Sequence, residues 1–98
     1  MFGLTTVAIA GDSMLPTTSS GDWWVVRRTR HVRPGDVVAL RHPHRTDLLI
    51  VKRALRQVPG GWWVEGDNPG ASEDSRAFGP VDESAIVGSL LIRYRRAR

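Results

Sequence analysis

Apolar residues in this chain come in short runs and not at helical spacing. Thr5 to Ala10, Trp23 to Arg28, Asp36 to Arg41, Leu48 to Gln57, Gly61 to Glu65 and Ile86 to Tyr94 are rich in valine, isoleucine, leucine and tryptophan, with Gly, Pro, Asp and Asn between them. β-Branched and aromatic side chains suit a pleated surface and turn residues punctuate strands, so each run predicts a β-strand. In the fourth, alternation puts Leu48, Ile50, Lys52 and Ala54 on one face and Leu49, Val51, Arg53 and Leu55 on the other. Arg33-Pro34-Gly35-Asp36 and Val58-Pro59-Gly60-Gly61 carry turn chemistry, and the second predicts a hairpin. The pairs Trp23-Trp24 and Trp62-Trp63 direct one ring to each face, so one of each belongs to the core. Residues 66–80 are non-periodic, and a loop that long in a small domain marks a candidate functional segment. Asp82 to Ser84 predicts a short helical turn.

Composition narrows the picture. At 98 residues the chain has room for one core and not two, so residues 1–98 are expected to form a single, mainly β domain. The apolar stretches Val7 to Ala10, Trp23 to Val26 and Leu48 to Val51 fall far short of the roughly 20 residues that cross a bilayer. The opening Met1-Phe2-Gly3-Leu4 lacks the basic start and apolar run of an export signal. The expectation is therefore a soluble, cytoplasmic protein without a transmembrane anchor, with peripheral membrane contact as the alternative. The net charge is +4, and Arg93-Tyr94-Arg95-Arg96-Ala97-Arg98 reads as a solvated basic end. A nucleic-acid module, with outer tryptophans stacking on bases, is the competing reading, and no nucleic-acid partner is expected. There is no cysteine. His31, His42 and His44 show no metal-ligand spacing and read as surface or turn residues, so neither a metal nor another cofactor is expected.

One detail of the charge count points to chemistry. Thirteen of the fourteen basic residues are arginine, and the only lysine is Lys52. Arginine stays protonated at any usable pH, whereas a lysine buried among aliphatic groups loses its proton more easily and can act as a base. Peptide-bond hydrolysis by a hydroxyl nucleophile needs such a base, together with donors aimed at the developing oxyanion. Gly11-Asp12-Ser13-Met14-Leu15-Pro16-Thr17 can supply the hydroxyl and the donors, with Ser13 placed at a strand end and its amide exposed. Taken alone, a serine beside glycine is a turn residue and a strand lysine is a snorkelling surface group.

Four segments in order change that balance. Gly11-Asp12-Ser13-Met14-Leu15-Pro16-Thr17 resembles the nucleophile box of type I signal peptidases. Arg33-Pro34-Gly35-Asp36-Val37-Val38 resembles their Gly-Asp-x-Val segment, and Ile50-Val51-Lys52-Arg53 their base box. Gly66-Asp67-Asn68 through Ser72, Asp74-Ser75-Arg76 and Phe78-Gly79-Pro80-Val81 resembles their last box. The resemblance spans residues 11 to 81 and implies the coiled antiparallel sheets of the signal peptidase/LexA-like peptidase fold. It also implies a serine endopeptidase with a Ser13/Lys52 dyad. Ser72 would orient the lysine amine, Asp74 and Arg76 would brace the site, and Gly11 and Asp12 would support the oxyanion hole. For Asp74 and Arg76 the alternative is a surface ion pair within a loop. Many family members carry a serine where this chain has Gly11, so the hole would rest on backbone amides.

The spacing between boxes, with Leu40-Arg41-His42-Pro43, Asp47 to Arg53 and Gly61-Trp62-Trp63-Val64, is most similar to the maturation proteases of nickel-type superoxide dismutase. That likeness implies a protein partner, the dismutase precursor, from which an N-terminal extension is removed. The alternative is a truncated signal peptidase acting on exported preproteins.

Overall fold

The computed structural model describes residues 3–96. Met1 and Phe2 of the opening segment and Ala97 and Arg98 of the basic end lie outside the described residues. Six strands form one antiparallel sheet: β1 (Leu4–Ala8), β2 (Trp23–Arg28), β3 (Val37–Arg41), β4 (Leu49–Val58), β5 (Gly61–Glu65) and β6 (Ile86–Arg95), in the order β1-β2-β6-β3-β4-β5. The predicted strands are thus found within one or two residues at each end. The expected plurality of sheets resolves into one, bent by register shifts in the β2/β6, β3/β6 and β4/β5 pairings. Bulges of this kind increase local twist and coil a sheet.

β6 is central, hydrogen-bonded to β2 on one side and β3 on the other. It runs on through Arg95, so Arg93 to Arg95 are strand residues; Arg93 is half-buried and approaches Asp22 to 3.8 Å, while Tyr94, Arg95 and Arg96 are exposed, as a solvated basic end requires. β4 and β5 form the expected hairpin, with Val58 opposite Gly61 across Pro59-Gly60. One face of the sheet carries the core of Val38, Leu40, Ala54, Trp62, Val64, Val81 and Ile86, with Ile50, Val32 and Phe78 packed against it. Burial of these side chains, at about 25 cal/mol per Å² of apolar area, is what offsets the entropy of ordering so small a chain. Trp62 is the core member of its pair. Trp24 is only half-buried and Trp23 is exposed, so the first pair does not supply a fully buried ring.

Residues 66–80 are more ordered than a non-periodic stretch suggests. They hold a 3-10 turn at Pro69–Ala71 and a one-turn helix, α1 (Ser75–Phe78), whose N-cap is Asp74. A second 3-10 turn at Glu83–Ala85 sits beside the predicted helical turn. Among the described residues no helix is long and apolar enough to cross a membrane.

Candidate active site

Ser13 lies past the end of β1, in a turn and not at the strand end itself. The turn is closed at its base by Ile9 N–H to the Asp22 carbonyl and Gly21 N–H to the Ile9 carbonyl, both 2.8 Å. Inside it, Leu15 N–H donates to the Asp12 carbonyl at 3.2 Å and Thr18 N–H to the Met14 carbonyl at 3.0 Å. Met14 is buried, which pins the residue beside Ser13 to the protein body. Gly11 takes a φ of +84°, a left-handed value that a serine would occupy only with strain, and its N–H donates to Ser20 Oγ at 3.3 Å. The Ser13 N–H has no acceptor among the described residues, so it is available to an incoming oxyanion.

Lys52 projects from β4 on the face of Val38 and Ala54, as the alternation predicts, and is 4 % exposed. Burial pushes its ammonium below the ordinary lysine value; the carboxylates of Asp74 and Glu73 pull back in part, and Arg76 pushes down again. Lys52 Nζ donates to Ser72 Oγ at 3.1 Å, and Ser72 Oγ donates to Asp74 Oδ2 at 2.7 Å. Asp74 fixes the direction of this chain. Burial by itself would raise its carboxyl, but hydrogen bonds from the Arg76 guanidinium, the Gly66 amide, the Ser72 hydroxyl and the Arg76 amide hold it well below the usual carboxylate range. An ionised carboxylate only accepts, so the Ser72 hydrogen is committed to Asp74 and a Ser72 lone pair faces the amine. Lys52 therefore spends a hydrogen on Ser72, which leaves the nitrogen lone pair of the neutral amine unengaged.

The surface-ion-pair alternative for Asp74 and Arg76 does not hold. The Asp74 side chain is fully buried and only the Arg76 end is exposed, at 42 %. The reason is local: Asp74 caps α1, accepting from Arg76 N–H at 3.1 Å, while taking Gly66 N–H at 2.9 Å from the neighbouring segment. Gly66 is where the two halves of the site touch. A side-chain carbon there would overlap Ser72 Oγ and lie 2.6 Å from the Ser13 carbonyl oxygen, so only glycine lets the segments meet.

Gly66, Asp67 and Asn68, marked in the sequence only as part of a motif, join the segments of the site. Asn68 N–H donates to the Ser13 carbonyl at 2.8 Å and Asn68 Nδ2 to the Asp12 carbonyl at 3.0 Å. Asp12 thus joins the network through its backbone. Asp67 accepts two bonds from Arg53, at 2.9 and 2.8 Å, and one from Thr17 Oγ1 at 2.6 Å, tying β4 to the Ser13 turn. His42, expected at the surface or in a turn, is buried and anchors the turn that follows it. Its Nδ1 accepts from the His44 and Arg45 amides, so the ring hydrogen sits on Nε2, which donates to Glu73 Oε1 at 2.8 Å. His31 and His44 are exposed, as expected.

Ser13 and Lys52 line one cavity of about 310 Å³, walled by Val7 to Met14 on one side and Leu48 to Lys52 on the other. Among the described residues no hydrogen bond joins Ser13 to Lys52. Nor does any group of three or more His, Asp or Glu side chains among them have the placement of a metal site.

The Peptidase S24-like family matches residues 3–91. The chain belongs to that family. It is a serine peptidase, and its relatives carry protease names. It is 34% identical to the mitochondrial ATP-independent inner membrane protease subunit 1a of Arabidopsis thaliana, over 92% of this chain and 70% of that protein. Subunit 2 of the mitochondrial inner membrane protease of Danio rerio is 35% identical over 66% of this chain, and that of Mus musculus 33% identical over 74%. The peptidase spans 44% and 57% of those two relatives' lengths.

Proposed function

We propose that this peptidase removes N-terminal segments from precursor proteins, with Ser13 as nucleophile and Lys52 as general base. The observation that carries the reading is the buried Lys52, held by the Ser72–Asp74 relay on the wall of the cavity that Ser13 also lines. Neutral Lys52 takes the Ser13 hydroxyl proton as Oγ attacks the scissile carbonyl. The tetrahedral intermediate then expels the amine, which leaves with that proton, and water resolves the acyl-enzyme. The Ser13 N–H stabilises the oxyanion. The substrate lies extended in the cleft between β1 and the first half of β4, since β5 pairs β4 only from Arg53 onward and leaves the edge of Leu49 to Lys52 unpaired by it.

For the substrate we favour a preprotein cut at the end of its targeting segment. The supporting fact is that the relatives named above are inner membrane proteases, which suits a signal peptidase-like role better than a dedicated maturation role. Nickel superoxide dismutase precursor is the second reading, resting on the motif spacing. The test is intact-mass spectrometry of a preprotein and of the dismutase precursor, each incubated with wild type, Ser13→Ala and Lys52→Ala protein. Loss of one defined N-terminal segment from the preprotein by wild type alone is the expected result. The same loss from only the dismutase precursor moves the substrate to the second reading, and cleavage that survives Lys52→Ala sinks the dyad.

A further inference from the structure

The catalytic cavity does not end at Val7 and Leu49. Both residues also line a second cavity of about 280 Å³, so the cleft between β1 and β4 continues away from Ser13. Its floor is the other face of the sheet, where Val26 of β2 and Ala39 of β3 are buried. Two residues further along each of those strands stand Arg28 and Arg41, and alternation puts them on the same face as Val26 and Ala39. Both arginines line this second cavity.

Both arginines are exposed at the rim of this cavity, so their guanidinium groups are open to a ligand from solvent. Neither Arg28 nor Arg41 has an ion-pair partner among the described residues, and each stays charged at any working pH. One carboxylate, Asp47, shares the wall, so one positive charge is left in excess. The catalytic end of the cleft has the opposite balance, with Asp12 and Glu73 against Arg45 once Lys52 is neutral. Because both guanidinium groups are exposed, water screens a charge-assisted bond made there and its contribution is modest.

We propose that Arg28 and Arg41 form a remote specificity subsite that takes an acidic side chain of the substrate. This rests on the substrate cleft beside Ser13 and Lys52 proposed above. The distance follows from β4: Leu49 is three residues from Lys52, about 10 Å at strand rise, and Asp47 lies just beyond. The acidic residue therefore sits about three to six residues from the bond that is cut.

The experiment uses alanine-rich peptides in which a single glutamate is moved stepwise along either side of an Ala–Ala bond. Cleavage by wild type, Arg28→Ala/Arg41→Ala and Arg28→Glu/Arg41→Glu proteins is measured, and the same peptides are bound to the Ser13→Ala protein by fluorescence anisotropy. One glutamate position, on one side of the bond, should raise kcat/KM about three- to tenfold through KM. That preference should vanish in the double-alanine protein and pass to a lysine peptide in the double-glutamate protein. A flat scan with peptides that are cleaved, or a glutamate preference that persists without the arginines, overturns the subsite alone. Peptides neither cleaved nor bound by any protein overturn the Ser13/Lys52 cleft as the substrate site and the subsite with it.

Discussion

Replacing Asp74 by asparagine tests the relay most directly. Oδ2 accepts from Gly66 N–H, Ser72 Oγ and Arg76 Nη2, and Oδ1 from the Arg76 amide and Nε. Whichever oxygen becomes an amide nitrogen then faces two or three donors with nothing to accept them. Removing one partner of a buried charged pair costs about 3–5 kcal/mol. Arg76 is partly exposed and can rehydrate, which favours the lower figure. Against the roughly 5–15 kcal/mol of a small domain this is a large share, and Tm should fall by at least about 12 °C. The catalytic signature is separate. Asp74 raises the Lys52 pKa, so removing its charge lowers that value further. On the proposed mechanism cleavage needs neutral Lys52, hence activity rises as pH passes upward through the Lys52 pKa, and the acidic limb of kcat/KM should move to lower pH. Differential scanning calorimetry and pH–rate profiles on the surviving folded fraction read both effects. A Tm loss below about 4 °C, or an acidic limb that stays in place or moves to higher pH, refutes the assignment of Asp74.

Two further predictions concern neighbouring residues. Lys52→Met should abolish cleavage while raising Tm at neutral pH by about 4–8 °C, the equivalent of about 1 kcal/mol in a domain of this size. The sign follows from linkage: with the folded pKa depressed, the unfolded chain binds more protons, so wild-type stability climbs with pH up to the unfolded lysine value, and the variant's gain should shrink along the same range in thermal melts at stepped pH. Gly66→Ala should cost about 1–3 kcal/mol by overpacking and should depress kcat more than KM, because the new carbon drives Ser72 away from the Ser13 turn; unaltered steady-state kinetics would show that the contact is slack.

Much of the fold was legible because its signals are local. Period-two patterning and Pro-Gly turns fix strands and hairpins residue by residue, and the same alternation puts Lys52 on the aliphatic face of β4. The rest of the site depends on pairings that no local pattern encodes. Thr17 and Asp67 meet across 50 residues and His42 and Glu73 across 31, so neither the bracing of the Ser13 turn nor the burial of His42 shows in the sequence. Resemblance supplied Ser72 and Asp74 as names; the ionised state of Asp74, which sets the direction of every bond in the relay, comes from the Gly66 and Arg76 donors that converge on it.

The place of β6 has a consequence for when the enzyme can act. The strand that joins β1–β2 to β3–β4–β5 follows the other five described strands in the chain, yet it lies in the middle of the sheet. Ser13 belongs to the early half and Lys52 to the later one. Until β6 docks, the two halves share no sheet hydrogen bonds, and non-local pairing of this kind is slow. Before that pairing, among the described residues only the bonds of Asp67 and Asn68 to the Ser13 turn bring Ser13 toward Lys52, so on the proposed mechanism the cleft becomes rigid when β6 docks.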